Sequence, residues 1–152
     1  MRAEDQFHVG IVVDDLDSAL AELSELFGYE WCDEFNVPTP VTFPAGDRVV
    51  DMRFAYSKTS PRLEVIQSVA GTLWEPATGS GIHHLGYWSD DVAGDSQELA
   101  RRGFAMEAVG RKPDGSTLFA FHRGSSGPRI EIISREVKPA FEHYWATGKM
   151  PS

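Results

Sequence analysis

Two histidines and two glutamates recur at matching places in the two halves of the sequence. His8 begins the segment HVGIVVDDL and His84 begins HLGYWSDDV, so a glycine follows each histidine two residues later and an aspartate pair follows further on. Glu64 lies in PRLEVI and Glu131 lies in PRIEII. Two imidazoles and two carboxylates form a mixed nitrogen and oxygen donor set without sulfur, which suits Zn, Ni, Co, Mn or Fe(II). We call these four residues the His–Glu quartet.

The histidine segments are predicted to be buried strands, in which alternate residues face opposite sides. Apolar residues alternate through segment 7–13, which places His8 and Gly10 together on the other face. The aspartate pair then predicts a helix start, because Asp is a good N-cap and acidic side chains suit the first turn. We therefore interpret Asp14 and Asp15 as capping residues and not as metal ligands. An apolar helical stripe follows, and Gly28 ends it.

Each half of the chain is predicted to run strand, helix, strand, strand, strand. After the first helix we expect strands at residues 29–35, 48–57 and 62–68, and a proline-containing loop at 36–47. The second half is predicted to have strands at 82–88, 104–109, 117–123 and 128–134, with a helix from Asp90 or Asp91 to Gly103. The sheet faces that carry the quartet would curl into a cleft shared by the two halves.

The length of 152 residues fits a single domain. We expect a first module at about 6–68, a linker at 69–81, a second module at about 82–135 and a C-terminal helix at about 138–147.

The net charge of -9 disfavours nucleic acid and anionic membranes as partners. The single cysteine, Cys32, excludes an intramolecular disulfide and a cysteine-based zinc site, and it fits a reducing cytoplasm. The polar N-terminus does not resemble a signal peptide.

With these motifs the sequence resembles the vicinal oxygen chelate superfamily, which includes glyoxalase I, methylmalonyl-CoA epimerase, extradiol dioxygenases and bleomycin-resistance proteins. The resemblance covers Phe7 to about Ser134. It implies an α+β fold of two βαβββ modules that form an incomplete barrel around a central cleft. It also implies that His8, Glu64, His84 and Glu131 bind one divalent metal ion, and that the protein is a homodimer. Sites in this fold form within one chain or across a dimer, and the sequence leaves that choice open.

The resemblance implies a metal-dependent isomerase or lyase. The metal would act as a Lewis acid on a carbonyl and stabilise the enediolate that forms on proton loss, and a carboxylate would move the proton. Related enzymes use a ligand glutamate as the base, so Glu131 is the first candidate and Glu64 the second. The substrate would be a small oxo compound or a thioester, and we favour an epimerase-like over a lactoylglutathione-lyase-like reaction.

The subfamily signals are mixed. The segment GSGIHHL that ends at Leu85 resembles the epimerase group, whereas a His-Glu-His-Glu set is more like bacterial glyoxalase I, because epimerases usually have Gln at the second position. Two departures from glyoxalase I argue against a glutathione substrate. Helix one reads LSELF at residues 23–27 and lacks a Phe-Tyr pair, and the turn before the last strand reads GSSG at 124–127.

Two other functions are considered. One is a metal-free protein of the bleomycin-resistance type that sequesters a drug or metabolite, for which the acidic charge would suit a cationic ligand. The other is an Fe(II) dioxygenase, which ranks lower because those enzymes have His where this chain has Glu64.

Two further histidines could take part in the site. His83 competes with His84 for one ligand position, but only His84 has Gly two residues later, so His83 is expected to face the helix as a hydrogen-bonded core residue. His122 lies on a predicted strand and is a candidate substrate-contacting residue, with a structural role as the alternative.

Overall fold

The computed structural model describes all 152 residues. Each half of the chain runs strand, helix, strand, strand, strand, and a third helix follows at the C-terminus. The elements are β1 (Gln6–Val13), α1 (Leu16–Phe27), β2 (Phe35–Phe43), β3 (Gly46–Tyr56), β4 (Arg62–Gln67), β5 (His84–Ser89), α2 (Val92–Arg101), β6 (Ala105–Arg111), β7 (Thr117–Arg123), β8 (Arg129–Ser134) and α3 (Lys138–Thr147).

The eight strands close into a barrel in the order β1-β4-β3-β2-β6-β7-β8-β5. The incomplete barrel expected from the family resemblance is thus replaced by a closed hydrogen-bonded order. One junction between the halves is the antiparallel pairing of β1 with β5. The other is short, because β2 pairs with β6 only through Val41 and Thr42. Within each half the first and last strands are parallel neighbours, β1 with β4 and β5 with β8.

The proline-containing segment predicted as a loop is instead strand β2, so that prediction was wrong. Pro38 and Pro40 pair with Asp51 and Val49 of β3. The part of β2 that contains both prolines has no second neighbour. A proline is tolerated on such an edge because its missing N–H can face away from the ladder. The strand predicted at 29–35 is reduced to an isolated bridge between Trp31 and Ser57.

The capping signals located both outer helices correctly. The Asp15 carboxylate accepts a hydrogen bond from the Ser18 N–H at 2.9 Å, and Asp91 accepts one from the Gly94 N–H at 3.0 Å. Gly28 ends α1 with φ of 73°, a left-handed conformation that glycine adopts without strain. Asp15 and Asp91 therefore act as helix caps. This turn chemistry fixes where each helix begins after its histidine strand.

Helix α3 covers one end of the barrel. Its buried residues Tyr144 and Trp145 pack in an aromatic cluster with Tyr56 of β3 and Trp88 of β5. The Tyr144 hydroxyl donates a hydrogen bond to the Asp33 carbonyl at 2.5 Å, which ties the helix to the segment before β2. No helix in the structure combines the length and apolar character needed to span a membrane.

Candidate metal centre

The strand register brings the quartet together within one chain. His8 and His84 lie on β1 and β5, and Glu64 and Glu131 lie on β4 and β8. Gly10 is the strand partner of both Glu64 and His84, and Gly86 is the partner of both Glu131 and His8. Each glycine therefore lies between the two neighbouring strands that carry one histidine and one glutamate of the quartet. All four quartet residues are buried, with 0–6% of each residue exposed to solvent.

The quartet offers four ligand atoms that lie within 4.8 Å of one another. The Nε2 atoms of His8 and His84 are 2.9 Å apart. Glu64 Oε2 lies 3.4 Å from His8 Nε2 and 3.1 Å from His84 Nε2. Glu131 Oε2 lies 3.1 Å from His8 Nε2 and 3.3 Å from His84 Nε2. These four distances and the imidazole separation are close to the ~3 Å between neighbouring ligands whose bonds to one ion are ~2.0–2.2 Å long.

One oxygen of each glutamate carboxylate in the quartet has no hydrogen-bond donor in the protein. Glu64 Oε2 and Glu131 Oε2 are buried and accept no hydrogen bond from the protein, although imidazole nitrogens lie close by. Buried carboxylate oxygens without partners are costly, and buried charges are normally paired or bound to metal. A divalent cation would satisfy both oxygens and both imidazoles at once. The quartet therefore fits a metal ion by position, burial and donor chemistry.

The charges of the quartet shift one another's pKa values in opposite directions. Burial lowers the pKa of His84, but the carboxylates of Glu131 and Glu64 raise it by more, to about 9. The pKa of His8 is raised by the same balance. Burial raises the pKa of each glutamate, and the two imidazoles more than reverse that effect, so both carboxyl groups have lowered pKa values. Both carboxylates are therefore held in the charged form that a cation needs.

A chain of hydrogen bonds sets the tautomer of His84. The Leu73 carbonyl oxygen only accepts, so the His83 Nε2 that lies 2.7 Å away carries a proton and donates it. His83 Nδ1 is then the acceptor in the neutral ring, and the His84 Nδ1 at 3.0 Å donates to it. Burial, followed by the charge of His84, lowers the pKa of His83 to about 4, which favours this neutral ring. In the neutral form of His84 this arrangement leaves the lone pair on Nε2, the nitrogen that lies 3.1 Å from Glu64 Oε2 and would bind a metal that displaces its proton.

The two disputed histidines lie outside the quartet. His83 precedes β5 and contacts the segment around Leu73, so the expectation that it faces the helix was wrong, although it is a buried, hydrogen-bonded residue. His122 lies beneath α2, where its ring nitrogens contact the Ser96 hydroxyl at 2.7 Å and the Phe104 carbonyl at 2.8 Å. Both nitrogens are used, and His122 does not line the cavity beside the quartet. The structure does not support it as a substrate-contacting residue, because it is on the outer face of β7.

A cavity of about 310 Å³ lies between the inner face of the sheet and α3. Glu64 and Glu131 line it, whereas His8 and His84 do not. The imidazoles therefore reach the quartet from the barrel wall, and the carboxylates face the open space. Seven of the 18 lining residues are aromatic, namely Phe35, Phe54, Tyr56, Trp74, Phe119, Phe121 and Phe141.

Two aromatic residues of the site were not singled out from the sequence. Tyr56 is the strand partner of Glu64, and Phe121 is the strand partner of Glu131. Their rings lie edge-on to the two quartet imidazoles, with centroids 5.4 Å apart for His8 and Tyr56 and 5.0 Å apart for His84 and Phe121. Burial and then the charges of Glu64 and Glu131 raise the pKa of Tyr56 well above 10, so it stays a phenol. These two rings could have been assigned to the site from the sequence only if the strand pairing had been known.

Comparisons with known proteins agree with this architecture. Residues 7–121 match the family described as the glyoxalase/bleomycin resistance protein/dioxygenase superfamily. The chain therefore belongs to this superfamily, also called the vicinal oxygen chelate superfamily, and the resemblance inferred from the motifs is confirmed. No curated protein matches the sequence.

Solved structures with a similar fold include methylmalonyl-CoA epimerases. One, in complex with methylmalonyl-CoA and NH4+, is 19% identical with a TM-score of 0.59, covering 86% of this chain and 93% of that chain. A Mycobacterium tuberculosis epimerase is 20% identical with a TM-score of 0.55, covering 86% and 87%. A hypothetical protein from Bacillus halodurans is 17% identical with a TM-score of 0.58, covering 85% and 92%. At such identities the likeness establishes the fold.

Proposed function

We propose that this protein is a divalent-metal-dependent isomerase or lyase that removes a proton from the carbon next to a carbonyl. One observation carries the proposal. Two glutamates line a cavity, each has a buried oxygen without a hydrogen-bond partner, and two imidazole nitrogens lie 3.1–3.4 Å from these oxygens. This arrangement combines a cation-binding donor set with a carboxylate that can reach a bound molecule.

His8, Glu64, His84 and Glu131 would hold the ion. A divalent cation at this place would polarise a substrate carbonyl and stabilise the negative charge that develops as the neighbouring C–H is ionised. The protein supplies the rest of the chemistry. Its aromatic wall would hold the substrate and exclude bulk water, which strengthens electrostatic interactions inside the cavity. A carboxylate beside the substrate would take the proton and return it, to the same carbon or to a neighbouring one.

Glu131 is the better candidate for the base. Its strand partner is the apolar Phe121, whereas the strand partner of Glu64 is Tyr56, which carries a hydroxyl donor. A phenol beside Glu64 can donate to that carboxylate and make it a weaker base. Nothing comparable lies opposite Glu131 in the strand ladder. We therefore assign proton transfer to Glu131, with Glu64 mainly a metal ligand.

An epimerase-like reaction is favoured over a lyase-like one. The fold is shared with methylmalonyl-CoA epimerases, and the segment that leads into the His83-His84 pair has the epimerase pattern. The His-Glu-His-Glu set is the feature that supports the glyoxalase-like alternative. Both reactions begin with the same proton abstraction, so the residue roles proposed here apply to either.

A second candidate is a binding protein that sequesters a small apolar cation without metal. The observation in its favour is the aromatic wall with two carboxylates and no Lys or Arg among the lining residues. The imidazoles packed against those carboxylates count against it, because they already provide positive charge. Tight binding of such a cation by metal-free protein would support this alternative.

Deuterium exchange tests the proposal. The protein is incubated in D₂O with 2-methyl-branched acyl thioesters and with hemithioacetals, with and without a chelator, and deuterium next to the carbonyl is measured by mass spectrometry. We expect exchange on at least one compound, loss of exchange with chelator, and recovery when a divalent metal is restored. Exchange that persists at full rate in the chelated protein would refute the metal-dependent mechanism.

A further inference from the structure

The lining of the cavity contains no cationic side chain that could pair with an anionic substrate. Fifteen of the 18 lining residues are hydrophobic, and the other three are Thr39, Glu64 and Glu131. The charged residues among them are thus both acidic, and both belong to the quartet. A cation bound there would neutralise these carboxylates, and the rest of the wall is uncharged and mostly apolar.

We propose that the substrate carries a neutral, apolar alkyl or aryl group next to its pair of chelating oxygens, and that it is neither a free carboxylic acid nor a coenzyme A ester. This inference rests on the proposed function, and it narrows the substrate class. The wall formed by Phe35, Phe54 and Phe141 gains from burying an apolar group. A carboxylate in place of this apolar group would be buried in the cavity without a partner, which is strongly unfavourable.

The overall charge leads to the same substrate class. The chain has a net charge of -9, so its field repels a polyanion such as the phosphates of coenzyme A. The fold is shared with epimerases whose structures contain coenzyme A esters. The lining of this cavity lacks the cationic groups that would offset the repulsion. A small neutral substrate avoids both costs.

Three hydroxamates that share one chelating head group provide the test. Acetohydroxamate has a minimal tail, hexanohydroxamate has an apolar tail, and adipic acid monohydroxamate has the same chain length with a terminal carboxylate. Each is titrated into cobalt-loaded and metal-free protein, with the quenching of tryptophan fluorescence as the readout, since Trp74 lines the cavity. We expect hexanohydroxamate to bind about tenfold or more tightly than either of the others.

Two variants of the β2–β3 hairpin make the test specific to the cavity. Val37 lines the cavity and is 40% exposed, whereas Val49 is 62% exposed and does not line it. Val37→Lys should raise the affinity for the carboxylate tail and reduce the preference for the apolar tail. Val49→Lys adds the same charge to the same hairpin and should leave the ratio unchanged.

The outcomes separate this inference from the proposed function. Equal affinities of loaded and metal-free protein for acetohydroxamate would count against the metal centre, while the ratio between the two long tails still measures the cavity. A carboxylate tail that binds as tightly as the apolar one, in either form of the protein, would overturn the inferred substrate class. A Val37→Lys variant with the same ratio as Val49→Lys would overturn it as well.

Discussion

The imidazole of His84 occupies the space in which a side chain on Gly10 would begin. A Cβ atom built on Gly10 would lie 1.9 Å from Cε1 of the His84 ring. The other half repeats the relationship, since a Cβ on Gly86 would lie 1.9 Å from Cε1 of His8. Each His-x-Gly segment thus provides one imidazole of the quartet and the space for the imidazole of the other half. This is the physical reason for the spacing that the sequence repeats.

Gly10→Ala should therefore displace a metal ligand. The added methyl group cannot coexist with the His84 ring in its present place, so the ring or the strand must move. We expect metal affinity to fall by more than the ~10–100-fold typical of losing a hydrogen-bond partner of a ligand. The dissociation constant can be measured by competition with a chromophoric chelator.

Gly110→Ala is the matched control for that variant. Its Cβ would lie 2.1 Å from the Phe119 ring, so the steric conflict on β6 is similar but does not involve a ligand. Metal affinity should be retained. If Gly10→Ala unfolds the protein, the double variant Gly10→Ala/His84→Ala should be more stable than Gly10→Ala alone, because removal of the ring relieves the conflict. Simple additivity of the two stability losses would contradict the account.

His83 should matter for metal affinity although it is not a ligand. His83→Ala removes the acceptor that holds Nδ1 of His84 at 3.0 Å. We expect the affinity for metal to fall about 10–100-fold, with a smaller effect than the loss of binding expected for His84→Ala. His122→Ala is the control, because His122 is equally buried and hydrogen-bonded but lies under α2. Equal affinity losses for the His83 and His122 variants would exclude a positioning role for His83.

Changing each glutamate to glutamine should distinguish the roles of the two residues, because the two variants should lose different amounts of the deuterium exchange rate. An amide oxygen still coordinates a metal, but an amide cannot accept the substrate proton. Glu131→Gln should keep most of its metal and lose about 100-fold or more of the deuterium exchange rate. Glu64→Gln should lose less, because a phenol that can donate to Glu64 lies on its strand partner Tyr56 and would make Glu64 a weaker base. Exchange that survives in Glu131→Gln and disappears in Glu64→Gln would reverse the assignment.

Acid should weaken the ion pair between Asp5 and Arg135. The Arg135 guanidinium donates to Asp5 at 2.7 Å and, with the Arg2 backbone and side chain, lowers the Asp5 pKa from 3.8 to about 2. A carboxyl group with a lowered pKa stabilises the fold above its unfolded pKa, and that contribution is lost as the pH falls toward the folded value. Asp5→Asn should therefore lower the melting temperature at pH 6, and the difference from the native protein should shrink by pH 3. A difference that is the same at both pH values would contradict this.

The repeated motifs were sufficient to predict the strand, helix, strand, strand, strand pattern of each half and the positions of the quartet, although not the residues that form β2. His8 and His84 share a spacing to glycine and to the capping aspartates, and Glu64 and Glu131 share their flanking residues, so equivalent strands could be recognised without coordinates. Alternation in β1 put His8 and Gly10 on one face. The convergence of the four side chains then followed from repeat symmetry, and the structure shows it within one chain.

Features that depend on strand pairing could not be read from the sequence. Pro38 and Pro40 suggested a loop, because proline is disfavoured inside a sheet. The prolines are tolerated in β2 because that part of the strand has a neighbour on one side only. His122 was a reasonable candidate until the face of β7 was known, and α2 turned out to cover that face. Tyr56 and Phe121 acquired their importance through pairing with Glu64 and Glu131, which single-strand patterns do not encode.

Metal analysis of the native protein is the most direct test of the central claim that the quartet is a metal site. The protein is purified without chelator or added metal, and its content of Zn, Ni, Co, Mn and Fe is measured before and after dialysis against each ion. We expect close to one divalent ion per chain, with most of it lost in His84→Ala and retained in His122→Ala. A native protein that takes up none of these ions, or a His84→Ala variant with undiminished content, would contradict it.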